Sequence, residues 1–369
     1  MIKFKKEFYL ECSNQSMRIS LLFLAFVSWL QSQGQTAVPY IGGAYHKGFV
    51  IVHSRAVRAV EDSYPQGFQI DFGKHKISEK VWNACNCYPR AGVSFTFWDF
   101  DNPDVLGYGL SGVYYLQPVF RADKDFSFSV RGGIGLSYQT NPHDPISNPD
   151  NQSYSTSVAF PLELGLGFHY KLGELWQIEA RMMYKHISNG GLSQPNKGIN
   201  WPTAGLSLSR YLKPISFPER EKSDWRLAAP DRTRNDISAF VTYQEPKDGL
   251  YLVSGGLEFK HARRIGRLNN LSLGGEWMYD TNQAKLSEGS DPETGHHAGA
   301  ALGHEFILGN FLFSQQIGVY ILKPSSRPED LYQRYGLSYR ISQSLFFGVS
   351  LKAHGHVADF LDLRMGFSF

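Results

Sequence analysis

The chain has 369 residues, with 37 Lys and Arg against 34 Asp and Glu, and a formal net charge of +3 is too small to argue for a nucleic-acid partner. Its length allows two domains or one large barrel. With 36 Gly, 14% aromatic residues and only 19% charged residues, the composition argues against a helical enzyme and suits a transmembrane β-barrel.

From the N-terminus, the first feature is the one continuous apolar run, Ile19 to Leu30. It is too short for a comfortable transmembrane helix and has the length of a signal-peptide core. Arg18 precedes it, Ser32-Gln33-Gly34 offers small residues for cleavage, and Met17 is an alternative start. Residues 1–34 are therefore expected to be a signal peptide, with an uncleaved anchor as the alternative, and Cys12 would leave with the signal. The lack of another such run excludes a helical membrane protein. Cys85 and Cys87 form a C-x-C pair in a turn; two ligands do not make a zinc site, and the pair reads as structural or incidental rather than redox-active.

Alternating segments bounded by turn residues predict strands at 40–53, 66–75, 91–100, 106–120, 125–139, 156–171, 174–188 and 199–212. In the fifth, Phe126, Phe128, Val130, Ile134, Leu136 and Tyr138 share one face, and Ser127, Ser129, Arg131, Gly133, Gly135 and Ser137 share the other. Apolar-out and polar-in alternation over about ten residues is the transmembrane strand pattern. In 174–188, Gln177, Glu179, Arg181 and Lys185 point one way, with Met183 the one apolar exception. Trp176, Ile178, Ala180, Met182 and Tyr184 point the other way, and His186 and Ser188 share their parity. A base and a hydroxyl thus fall on the greasy side, which in a membrane barrel faces lipid.

Lys213 to Arg234, charged and carrying Pro214, Pro218 and Pro230, reads as a linker. Strands resume at 236–245, 249–262, 268–280, 296–309, 311–322, 331–342, 345–354 and 359–369. His296 and His297 with Asp291 and Glu293 read as a surface loop rather than a metal site. His354 and His356 occupy the place that His186 and Ser188 hold in the first half; no Ser-Asn-Gly follows, so His354 reads as a lumen residue. The last strand alternates Leu361, Leu363, Met365, Phe367 and Phe369 with Asp362, Arg364, Gly366 and Ser368. A terminal aromatic strand of this kind is expected to be read by outer-membrane assembly machinery. Tyr and Trp near strand ends read as interface girdles.

The fold class is thus all-β, a transmembrane antiparallel barrel of about sixteen strands in two halves of about eight. One wide barrel and two narrow ones both remain open. Small inward residues with Arg131, Glu276, Arg334, Arg340, Lys352, Asp362 and Arg364 suit narrow interiors, yet two barrels in one chain are uncommon, and the reading leans to one larger barrel. The expected domains are 35–213, a linker at 214–234, and 235–369.

The stretch from His186 to Asn200 contains HISNGGLSQPNKG. It resembles the motif of the lipid A 3-O-deacylase (PagL) family, and residues up to about 213 also match that family's eight-strand outer-membrane barrel in strand count and position. The resemblance implies an outer-membrane serine esterase that removes an ester-linked acyl chain from lipid A in the outer leaflet, with no metal or organic cofactor. It makes Ser188 the nucleophile and His186 the general base. Asn196 and the Gly191 backbone N–H correspond to the oxyanion donors, supported by Asn189 and Gly190. Where the family has a Glu twelve residues after the Ser, this chain has Asn200. By parity Asn200 can lie beside His186 and orient it through its carbonyl, as in Cys-His-Asn proteases; Asp144 or Asp150 from the preceding loop is the alternative. With the N-terminus in the periplasm, the strand ending at Ser188 runs outward, to the leaflet that holds lipopolysaccharide. The alternatives are a porin-like or structural barrel with a decayed site, and a phospholipase-like esterase using the same residues. The oligomeric state and the role of 235–369 stay open.

Overall fold

A computed structural model of the chain describes residues 37–222, 224–228, 232–244, 252–286, 295–323, 329–355 and 357–369. The expected signal peptide, Cys12, Asp291, Glu293 and His356 lie outside the described residues. The strands are β1 (Ala37–Gly48), β2 (Gln66–Lys76), β3 (Arg90–Asp99), β4 (Tyr108–Gln117), β5 (Val119–Phe120), β6 (Phe126–Gln139), β7 (Val158–Lys171), β8 (Trp176–Ser188) and β9 (Ile199–Tyr211). They continue as β10 (Thr233–Gln244), β11 (Leu252–Arg264), β12 (Asn269–Tyr279), β13 (His296–Leu308), β14 (Phe311–Leu322), β15 (Leu331–Arg340), β16 (Leu345–His354) and β17 (Val357–Ser368).

These strands close two separate antiparallel barrels, which corrects the leaning toward one larger barrel. In the first, β1 pairs with β9 from Tyr40↔Tyr211 to Gly48↔Thr203, and β4 pairs with β6. β5 is a two-residue extension of the β4 edge along β6, so the wall has eight strands in effect. In the second, β10 pairs with β17 from Asp236↔Ser368 to Thr242↔Asp362. A wide barrel would need β9 to pair with β10, but the β9 edge is taken by β1. The physical reason lies in the lumens, because eight strands leave only enough space for side chains.

Many of those side chains are long and charged, and they pair with one another. In the first lumen Asp71 accepts from Arg131 at 3.0 Å and Arg181 at 2.8 Å, and Arg181 also reaches Glu179 at 2.9 Å. In the second, Arg334 joins Glu276 to Asp362, Lys352 bonds Glu276 at 2.7 Å, and Arg364 bonds Glu258 at 2.7 Å. Burying a charge is tolerable only when it is paired and hydrogen-bonded in this way. The outer walls carry the opposite chemistry. On β8, Met182 and Tyr184 are exposed while Glu179, Arg181 and Lys185 are buried, the alternation read from the sequence. Since both lumens are filled, the purified protein in planar bilayers is expected to give no porin-sized conductance step. Regular steps would return the pore reading.

The end of the first barrel that carries Ser188 has its own apolar plug. Trp98, Trp201, Phe100, Tyr154, Ile187 and Ile199 are buried together there with Val57 and Val60 from the segment after β1. Fully burying each large apolar side chain is worth about 1.5–3 kcal/mol, so the ends of β8 and β9 rest on a packed base. At the opposite, linker end, Cys85 and Cys87 form a disulfide, in keeping with a structural pair.

Candidate active site

His186 and Ser188 lie on the outward face of β8, with buried Ile187 between them pointing inward into the plug. Across the wall Ser188 pairs with Phe160 and His186 with Leu162 on β7, so the site opens onto an apolar surface. On the other side His186 pairs directly with Asn200 on β9. The register that the sequence had to assume is therefore the observed one, and His186 Nδ1 lies 2.7 Å from Asn200 Oδ1.

A residue that sequence reasoning missed completes this arrangement. The strand expected to run to residue 53 ends at Gly48. The chain then continues beside β9 in the same register, where Ile51 N donates to Asn200 O at 2.8 Å. This delivers His53, whose Nδ1 accepts from Asn200 Nδ2 at 3.2 Å and whose Nε2 donates to Lys197 O at 3.0 Å. The 3.4 Å approach of His53 Nδ1 to Ile51 O is too long to compete. One consistent set of directions follows: His53 fixes the Asn200 amide, Asn200 Oδ1 accepts from His186 Nδ1–H, and the His186 Nε2 lone pair is left to act as a base. The period-two pattern gives His53 the outward parity of Tyr45 and Ile51 but does not say which strand it borders.

The loop from Asn189 to Gly198 is held from within. Asn189, fully buried, donates from its backbone N to Asn196 Oδ1 at 2.9 Å and from Nδ2 to Ser193 O at 2.7 Å and Ser155 Oγ at 3.1 Å. Its Oδ1 accepts from Gly191 N at 3.0 Å. Because Asn196 Oδ1 is taken, its Nδ2 is the group left to donate outward. The Gly191 N–H is occupied by Asn189 in this state and would have to exchange that partner for a substrate oxygen. Gly190 and Gly191 have φ of 69° and 83°, a left-handed conformation that favours glycine.

Among the described residues no hydrogen bond joins the Ser188 hydroxyl to His186. Two positions on one strand face need only a side-chain rotation to meet, and such bonds often tighten only with substrate bound. Asp144 and Asp150 do not supply an alternative partner to His186. The backbone N–H groups of Ser147 and Ile146 bond the Asp144 carboxylate and hold its pKa below the usual carboxylate range, and Asp150 is exposed in the same loop. His354 lies in the second barrel against Tyr320, at 3.0 Å, and beside Asp359. No group of three or more metal-ligating side chains occurs among the described residues.

Gly198 gives a direct check on the His186 pose. Its φ is 70°, and a Cβ there would stand 2.6 Å from His186 Cε1 and 3.4 Å from Nε2. Gly198→Ala is expected to add about 1–2 kcal/mol of backbone strain and to push the imidazole off Asn200. Steady-state kinetics should then show kcat lowered by about tenfold or more, with the barrel still folded by heat-modifiable gel mobility.

Residues 67–209 match the family described as lipid A 3-O-deacylase (PagL), and residues 233–369 match the acyloxyacyl hydrolase C-terminal domain. Among solved structures, the outer membrane enzyme PagL is similar at 16% identity, covering 45% of this chain and 97% of that one, with a TM-score of 0.34. Neisserial surface protein A is similar at 10% identity, covering 48% of this chain and 99% of that one, with a TM-score of 0.32. A triple mutant of the Rhodopseudomonas blastica porin gives 10% identity, 90% and 100% coverage, and a TM-score of 0.19. A comparison with curated proteins gave no match.

Proposed function

We propose, from the premise that this chain belongs to the PagL family of lipid A 3-O-deacylases and carries an acyloxyacyl hydrolase C-terminal domain as its second barrel, that it is an outer-membrane serine esterase acting on lipid A. The observation that carries this reading is the His186–Asn200 hydrogen bond on the lipid-facing wall, two residues from Ser188. Ser188 Oγ attacks the ester carbonyl while His186 Nε2 takes its proton, forming the Oγ–C bond. The alkoxide at the former carbonyl oxygen is held by Asn196 Nδ2 and, once released from Asn189, by the Gly191 N–H. Each such donor is typically worth on the order of 10²–10³ in rate. Collapse breaks the ester C–O bond, and His186 returns the proton to the leaving sugar oxygen. Water, deprotonated by the same imidazole, then frees the acyl chain as a carboxylic acid. With the N-terminus in the periplasm, β8 ends at the outer leaflet, where the lipid A acyl esters lie.

Asn200 carries no charge to steady the imidazolium, so its contribution is one of orientation, and His53 is what fixes that orientation. His53→Leu is expected to free the amide to turn, lowering kcat about tenfold with KM little changed. His53→Gln offers an acceptor in the same place and should retain more of the rate; equal losses in both variants would refute the orienting role.

The functional reading is tested by mass spectrometry of lipid A and phospholipids from cells with and without the full chain. Loss of one hydroxyacyl chain from lipid A is the expected result. Intact lipid A with lysophospholipids would move the activity to a phospholipid. No change in either, with the barrels folded, would overturn the reading in favour of a decayed site.

A further inference from the structure

We propose that the second barrel forms one wall of the groove that receives the acyl chain, with Leu361 as a specificity-determining residue. This rests on the ester-hydrolase reading above and gives a task to the half of the chain that the motif does not reach.

Gly190 lies where the two barrels meet. A Cβ at that position would stand 3.3 Å from Phe160 Cδ2 on β7 and 3.6 Å from Leu361 Cδ2 on β17. At Gly191 the nearest atoms are Asp359 O at 3.5 Å and Phe360 Cα at 3.9 Å. The loop that would carry the oxyanion donors is therefore backed by β17 of the other barrel. The outward face of β17 shows how local this covering is. Leu363, Met365 and Phe367 are 62%, 60% and 56% exposed, whereas Leu361, on the same face, is half-buried. Two further contacts hold the barrels side by side: the Tyr114 and Phe311 rings lie 5.9 Å apart, and at the linker end Arg267 donates to Asn83 O.

The path of a substrate follows from this geometry. A carbonyl carbon at Ser188 Oγ cannot send its hydrocarbon tail inward, because Ile187 and the plug fill that side. The tail runs down the outer wall past Phe160, the cross-strand neighbour of Ser188, and Leu162. Leu361 faces the same loop from the second barrel. A saturated chain between these surfaces gains apolar contact on two sides, where a single barrel offers one. Chain length is then sensed partly by a residue in the other barrel, far along the sequence from the nucleophile.

The test uses the full-length protein, folded in the outer membrane and purified, with p-nitrophenyl butyrate and p-nitrophenyl palmitate as probes. Leu361→Trp fills the seam and is expected to lower the palmitate-to-butyrate ratio of kcat/KM about tenfold. Met365→Trp, on the same face but away from the loop, should leave the ratio unchanged. Leu361→Ala removes the wall contact and should lower long-chain preference in the same direction; it serves if the Trp variant does not fold. An unchanged ratio in the Leu361 variants, with butyrate hydrolysis intact, would overturn the wall while leaving the esterase standing. A wild-type protein inert toward both esters and toward lipid A would overturn the esterase, and the groove with it.

Discussion

Ser188→Ala is expected to stop acyl release, with kcat/KM falling on the order of 10⁴-fold or more and lipid A in expressing cells keeping its full acyl set. The size of the effect follows from what remains. His186 keeps its bond to Asn200, and the loop keeps its bonds to Asn189, so only the attacking oxygen is lost. Among the described residues Ser188 holds no hydrogen bond to His186, so its removal should leave the fold as it was. The barrel should run unchanged in heat-modifiable electrophoresis. Ser188→Ala protein that still releases acyl chains at near the wild-type rate would mean that His186 activates water directly and that Ser188 is a bystander.

Asp71→Asn is expected to destabilise the first barrel by about 3–5 kcal/mol. Both oxygens of Asp71 are committed, Oδ1 to Gln69 at 2.7 Å and Arg131 at 3.0 Å, and Oδ2 to Arg181 at 2.8 Å. The substitution preserves shape but leaves Arg131 without its carboxylate partner and Arg181 with Glu179 alone. All of these groups are almost completely buried, so solvent does little to screen the change. Urea titration of the folded fraction should show a lower midpoint for the first barrel, and the second barrel, with its separate network around Arg334, should keep its own. An unmoved midpoint would show that the lumen charges are dispensable for stability.

Strand positions were legible in the sequence because each strand separates lipid from lumen, and that difference is written into every second residue. Bounds moved by a few residues, mostly where a strand end meets a loop. The number of barrels was not legible. Closure of β1 on β9 and β10 on β17 is a long-range pairing, and inside-outside alternation is the same for a wide wall and a narrow one. The paired charges at Arg131, Arg334 and Lys352 were the useful hint, because charges that must find partners need a narrow interior. At the site, the His186–Asn200 contact followed from shared parity once the strands were adjacent. His53 did not follow, since parity alone does not show that the segment beyond Gly48 runs on beside β9 to reach Asn200. Nor did the approach of Leu361 to Gly190, which depends on how two closed surfaces sit together.

The eight-strand closure of each wall also has a bearing on how such a chain can arise. An even number of crossings returns the backbone to the side from which it set out. A second closed unit can therefore be joined after Tyr211 without reversing the first, and the end of the wall that carries Ser188 stays where it is whether or not anything follows. Tandem growth by whole barrels is topologically neutral, whereas one strand more or fewer in the first barrel would leave the chain after it on the opposite side of the membrane.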